Sequence, residues 1–322
     1  MWNKNHIELD VDLGYTWEGL GIVSGDFAGC GGDCEAAIYR QELDPTPGRE
    51  VILKLTQSYN SCRYLVFFRA KGNPPSKLRW RLRGYIDHDF NRYEMTRHHV
   101  VHAFRKNWLV IRGQEGSGSG YYLYGETWFE VSRRGVRPVL HYSVEGRTDP
   151  GLGGVKWELK SRAVALTNGH TREPIIRLSF VVRYTAEGFE DRNFTRRFIN
   201  RRSAYYVWNK RSREFIFAGH RSTISEREMN LVANVQTEAP AENQGVRIGQ
   251  STFYSGLKGF VGSGFEMFLR LNTHRLMKIA QGANSPAKEW LRVFVKQCDD
   301  IPEKLALEKA LQARLPQSRK QR

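Results

Sequence analysis

The chain predicts a mainly β fold, an antiparallel meander, sandwich or barrel-like body, with a C-terminal α-helical region, α+β overall. Two observations carry this. Short apolar runs recur between turn signals up to about residue 221, and the apolar period then changes from strand-like to helical. At 322 residues, 40% of them apolar and 12% aromatic, the chain is long enough to bury a core without disulfides or metals. Three regions follow: a β-rich body over 1–221, a short helix and linker over 222–250, and helices over 251–322 that pack on the body.

The first strand is read from Ile7, Leu9, Val11, Leu13 and Tyr15, which alternate with Glu8, Asp10 and Asp12. Gly-rich residues 19–32 and a Pro-bracketed turn at 44–48 lead to strands at 51–55 and 64–68, the latter apolar enough to be buried on both faces. Leu78, Trp80 and Leu82 then alternate with Arg79, Arg81 and Arg83, so one face of that strand is cationic. Facing the acidic strand, it would be neutralised.

Strands at 98–104 and 108–112 flank a turn at Arg105-Lys106-Asn107, and Gly113–Gly120 reads as a loop. Further strands are expected at 121–124, 127–131, 139–144, 156–166, 175–185, 194–199, 204–208 and 214–218, with Asn209–Ser212 as a four-residue hairpin loop. Capping-box patterns at Thr223–Glu226 and Ser225–Glu228 open a short helix to about Val235. The linker follows, and then helices at 264–280, from Ser285-Pro286, and around Leu305–Leu311.

Charge is the strongest compositional feature. The formal balance is +16, and residues 1–50 hold three Lys or Arg against ten Asp or Glu, so the rest of the chain carries +23. Arg supplies 35 of the 50 basic residues, the side chain suited to phosphate and carboxylate forks and to aromatic stacking. This balance points to an anionic partner, nucleic acid among the candidates.

The densest basic stretch interleaves Arg196, Arg197, Arg201, Arg202, Lys210, Arg211 and Arg213 with Tyr205, Tyr206 and Trp208. Cations would track phosphates while exposed aromatics stack on bases. Strand packing explains the same aromatics if they point inward. The favoured function is a non-enzymatic binding or interaction protein presenting this Arg-rich β surface.

The alternative is a metal-dependent or acid/base hydrolase built on Asp87, His88 and Asp89, with His98 and His102 nearby. Asp87 and Asp89 share a strand face about 6.6 Å apart, a spacing that suits a cation or a scissile sugar bond. His98 and His102 lie about 13 Å apart along an ideal strand, too far to share one ion. A structural role in a larger assembly is the third reading.

No phosphate-binding loop, nucleophile elbow or zinc spacing occurs, so no cofactor is expected. Asp10–Gly14 fits a strand better than a calcium loop. Cys30 and Cys34 are close enough for a local disulfide in an oxidising compartment, and either could reach Cys62. No membrane-spanning run or signal peptide is present in the chain as it stands. The default expectation is therefore cytoplasmic, unless this is the mature part of an exported protein.

Overall fold

The computed structural model describes residues 35–44, 50–57, 61–70, 79–88, 96–118, 121–132, 134–148, 155–166, 173–188, 194–226, 228, 245–248 and 265–313. These form a mainly β body with C-terminal helices, as the apolar periods predict. The acidic strand at 7–15, Cys30, Cys34, Asp89 and the linker over 229–244 lie outside the described residues.

The first sheet has the order β1(Glu35–Gln41), β2(Glu50–Gln57), β3(Ser61–Ala70), β4(Arg79–His88), β13(Gly245–Ile248). Its first four strands are antiparallel neighbours, and β13 runs parallel to β4. Thus a strand occurs inside the stretch read as linker. Tyr64, Leu65, Val66 and Phe67 are all buried, so β3 is apolar because both its faces are covered.

The second sheet is an eight-stranded antiparallel meander in chain order: β5(Arg97–Ala103), β6(Lys106–Gly118), β7(Tyr121–Ser132), β8(Gly135–Thr148), β9(Val155–Leu166), β10(Ile175–Glu187), β11(Thr195–Asn209) and β12(Glu214–Phe217). The β5–β6 turn is Phe104-Arg105, one residue earlier than the sequence indicates. Both residues have φ near 58°, at 57° and 59°. That is the left-handed geometry of a two-residue hairpin, here without the usual Asn-Gly.

Two expected breaks do not occur. Gly113–Gly118, read as a loop, is strand: Gly113 pairs with Gly125 and Gly118 with Tyr121, with a bulge between Gln114 and Gly116. A Cβ on Gly113 would lie 2.3 Å from Nε2 of buried His88, so glycine there makes room for the facing sheet. Residues 194–199 and 204–208 belong to one strand, β11. The polar run Asn200–Ser203 interrupts the apolar pattern, but Asn200 is buried and donates to Oδ1 of Asn272 at 3.1 Å, which replaces the partner it would find in a turn.

Three helices follow: α1(Glu266–Gln281), α2(Pro286–Val295) and α3(Pro302–Gln312). Gly282 ends α1, its N–H bonding to Lys278 and Ile279 carbonyls. The Ser285 side chain caps α2 by accepting from the Lys288 N–H, with Pro286 in the first turn. Phe268 of α1 packs edge-on against Tyr184 and Phe198, and Trp290 of α2 lies 5.5 Å from Phe194. The helices therefore cover the second sheet on the face that carries Phe180, Val182, Tyr184 and Phe198.

A separate apolar layer joins the sheets. It contains Ile52, Cys62, Tyr64, Val66 and Ile86 of the first, and Leu109, Ile111, Phe129, Val131 and Val136 of the second. The β11–β12 hairpin also reaches β6 and β7. Trp108 lies 5.5 Å from Trp208 and 5.7 Å from Phe215, and Arg213 bonds Glu130 at 2.7 Å. The second sheet is thus strongly curled.

Candidate functional site

Strands β9, β10 and β11 pair without a bulge, so their faces can be read directly from register. Even-numbered residues of β11 from Phe198 to Trp208 share a face with Ile176–Tyr184 of β10. Phe198, Asn200, Ala204 and Tyr206 are buried there. Odd-numbered residues form the opposite face. Arg197 stands opposite Thr185, Ile199 opposite Arg183, Arg201 opposite Val181, and Tyr205 opposite Arg177. On β9 the same row continues through Lys156, Glu158, Lys160, Arg162 and Val164.

This outward face is cationic, and its charges fall into two sets. Lys156 pairs with Glu187 at 2.8 Å, while Lys160 and Arg183 share Glu158 at 3.3 and 3.1 Å. Desolvation is the largest single influence on the Glu158 carboxyl and raises it, but the hydrogen bonds and charges of Lys160 and Arg183 together outweigh it and hold the group below the usual range. Arg162, Arg177, Arg197 and Arg201 have no carboxylate partner among the described residues. Arg162, Arg197 and Arg201 are exposed and Arg177 is half-buried. Ile199 stands between Arg197 and Arg201 with 38% exposure.

The other members of the basic stretch lie elsewhere. Arg196, exposed, sits over the Phe198 ring at 5.8 Å, and Arg202 donates to the Arg201 carbonyl at 3.1 Å. Tyr206 is buried against Phe217, its hydroxyl pKa raised by burial, and half-buried Trp208 packs on Trp108 and Phe215. Those two aromatics serve the core. Tyr205 is half-buried on the outward face. Lys210 and Arg211 are exposed in the β11–β12 turn, shaped by the Asn209 side chain accepting from the N–H groups of Arg211 and Ser212. Arg213 is held by Glu130, whose other carboxylate oxygen takes Lys106 at 2.8 Å.

Of the residues of the hydrolase alternative, Asp89 lies outside the described residues and the other four have separate partners. Asp87 is gripped by Arg63 through two contacts of 2.5 and 3.0 Å. His88 is buried beside Gly113, opposite Cys62 in register. His102 is exposed and 2.7 Å from Oδ1 of Asn107. His98 lies between the Tyr39 and Tyr64 rings, its pKa pushed down to about 4 by burial and then by Lys54 and His99. Among the described residues no group of three or more His, Cys, Asp or Glu is placed to hold a metal ion.

Cys62 and Cys298 are free thiols in buried positions, and burial pushes Cys62 up to about 11 and Cys298 up to about 12. Neither is ionised near neutrality, which leaves both unreactive. No helix among the described residues is long and apolar enough to cross a membrane.

What sequence reasoning missed is the contribution of β9 and β10. Arg162 and Arg177 lie outside the dense basic stretch, yet register sets Arg177 directly opposite Tyr205 and Arg162 two strands from Ser203 through Ser179. Parity was the available signal: Lys156, Lys160 and Arg162 alternate with buried or half-buried residues in the way Arg197 and Arg201 do. No protein-family model, curated protein or solved structure matches the chain.

Proposed function

We propose that the protein is a non-enzymatic binding protein that takes an anionic polymer, single-stranded nucleic acid first, on the outward face of β9–β11. The observation that carries this is the set of arginines on that face with no carboxylate partner among the described residues. An arginine paired with a carboxylate must lose that contact before it binds phosphate; an unpaired one exchanges only water and counterions. Arg197 and Arg201 lie about 13 Å apart along β11, and Arg177 and Arg162 extend the row across two strands at about 4.8 Å each. Tyr205 offers a ring edge within this row, and Ile199 an apolar contact.

The test is a titration of a fluorescent 20-nucleotide oligouridylate at salt from 50 to 200 mM. Four contacts to a single strand give a log–log salt slope of about −3. Substituting R197E and R201E together should flatten the slope by about half. Absence of binding at 50 mM salt, or a slope unmoved by that substitution, sinks the reading. Heparin in a parallel arm separates nucleic-acid preference from general affinity for polyanions.

A further inference from the structure

The outward face of β9–β11 does not stop at β9. Residues directly opposite each other in an antiparallel pair project to the same side of the sheet. Glu158 and Lys160 of β9 stand opposite Arg147 and Glu145 of β8, which in turn stand opposite Tyr122 and Tyr124 of β7. In the other direction Glu158 leads through Arg183 to Ile199, and Lys160 leads through Val181 to Arg201. Continuous rows therefore join the tyrosines of β7 to the arginine-bearing face of β11. Four strand spacings of about 4.8 Å put the two ends roughly 19 Å apart along the sheet.

The tyrosine end has a different chemistry. Arg147 is exposed, and its guanidinium lies over the Tyr122 ring, 5.2 Å from the centroid. Arg112 lies over the Tyr124 ring at 5.9 Å, and the two rings meet edge to face at 5.5 Å. Glu145 ties the group together. One of its carboxylate oxygens takes Arg112 at 3.0 Å, and the other accepts from the Tyr122 hydroxyl at 3.3 Å. Burial and the Glu145 charge raise the Tyr122 hydroxyl above its usual range, so it remains a donor at neutral pH.

The carboxylates beside Arg147 are thus taken by other cations: Glu145 by Arg112, and Glu158 by Lys160 and Arg183. Arg147 rests on Tyr122 and offers its outer plane to solvent. A polyanion without bases gains only from the charge. An unpaired base gains from the plane as well, because guanidinium planes and aromatic rings are the surfaces on which bases stack. We propose that the Tyr122–Arg147 pair is a base-stacking site for a single-stranded nucleic acid whose phosphates lie on the arginines of β9–β11, so that the polymer crosses the strands from β11 towards β7. This inference rests on the binding reading above and assigns the bases their place in it.

The probes are the 20-nucleotide oligouridylate and an abasic ribose-phosphate oligomer of the same length, each titrated from 50 to 200 mM salt. The unmodified protein should bind the oligouridylate about tenfold more tightly than the abasic oligomer, as one stacked base contributes. Arg147→Lys keeps the charge and removes the plane. It should lower oligouridylate affinity by about fivefold to tenfold, hold abasic affinity within about twofold, and leave the salt slope unchanged. Equal affinity of the unmodified protein for the two probes overturns the stacking site and leaves the phosphate contacts standing. So does an affinity ratio that Arg147→Lys does not change. Absence of salt-dependent binding to either probe sinks the binding reading itself, and the stacking site with it.

Discussion

Two sets of arginines occupy this molecule, and they do different work. On β3 and β4, Arg63 closes on Asp87, and Arg83 is buried between Asp44 at 3.5 Å and the Phe68 ring at 3.9 Å. On the outward face of β9–β11, Arg162, Arg197 and Arg201 reach solvent with no carboxylate partner among the described residues. Both sets come from strands in which arginine alternates with apolar residues. What separates them is what lies across from them: Asp87 on the adjacent strand and Asp44 beyond the end of β1 in the first sheet, and threonine, serine, valine or tyrosine in the second. An arginine's role is therefore set across the sheet rather than along the strand.

The comparison can be broken by substitution, and the largest effect falls on binding. R197E with R201E should weaken oligouridylate binding at 50 mM salt by 100-fold or more, while chemical denaturation shifts stability by less than about 0.5 kcal/mol, as for other exposed sites. Arg83→Met should do the reverse. It removes a buried cation from Asp44 and costs about 1–3 kcal/mol, measured by urea unfolding, with the salt slope of binding unchanged.

Glu130→Gln is intermediate. It loosens Lys106 and Arg213 together from a carboxylate only 8% exposed, and it should cost about 1.5–3 kcal/mol in the same assay. Because Arg213 is then freed at the end of β11, polymer affinity should rise slightly rather than fall.

The smallest effect is on pH dependence. His98 titrates near 6.5 when unfolded and near 4 in the fold. Between those values the unfolded chain binds the extra proton, so stability is fully present above about pH 6.5 and falls as pH drops towards 4. The loss should be roughly 1–3 kcal/mol, and His98→Phe should remove that slope when unfolding is followed from pH 7 to pH 4. A slope that persists in the variant assigns it to other groups.

Much of the fold was legible. The apolar period located β2, β3, β9, β10, β12 and all three helices, and Ser285-Pro286 and Gly282 marked helix ends through chemistry that is local. The errors share a cause. Gly113–Gly118 and Asn200–Ser203 look like breaks because their partners, His88 and Asn272, are distant in sequence and supply what the local pattern lacks. The candidate face was half legible for the same reason. Alternation in β11 separates Arg197 and Arg201 from Tyr206 and Trp208, but only pairing brings in Arg162 and Arg177.

The most direct measurement is the salt dependence of oligouridylate binding for the full chain and for a variant with Arg162, Arg177, Arg197 and Arg201 changed to glutamine. The account predicts a log–log slope near −3 for the former and near zero for the latter. Equal slopes for the two, with the fold intact in both, would place any polyanion contact on another surface and contradict it.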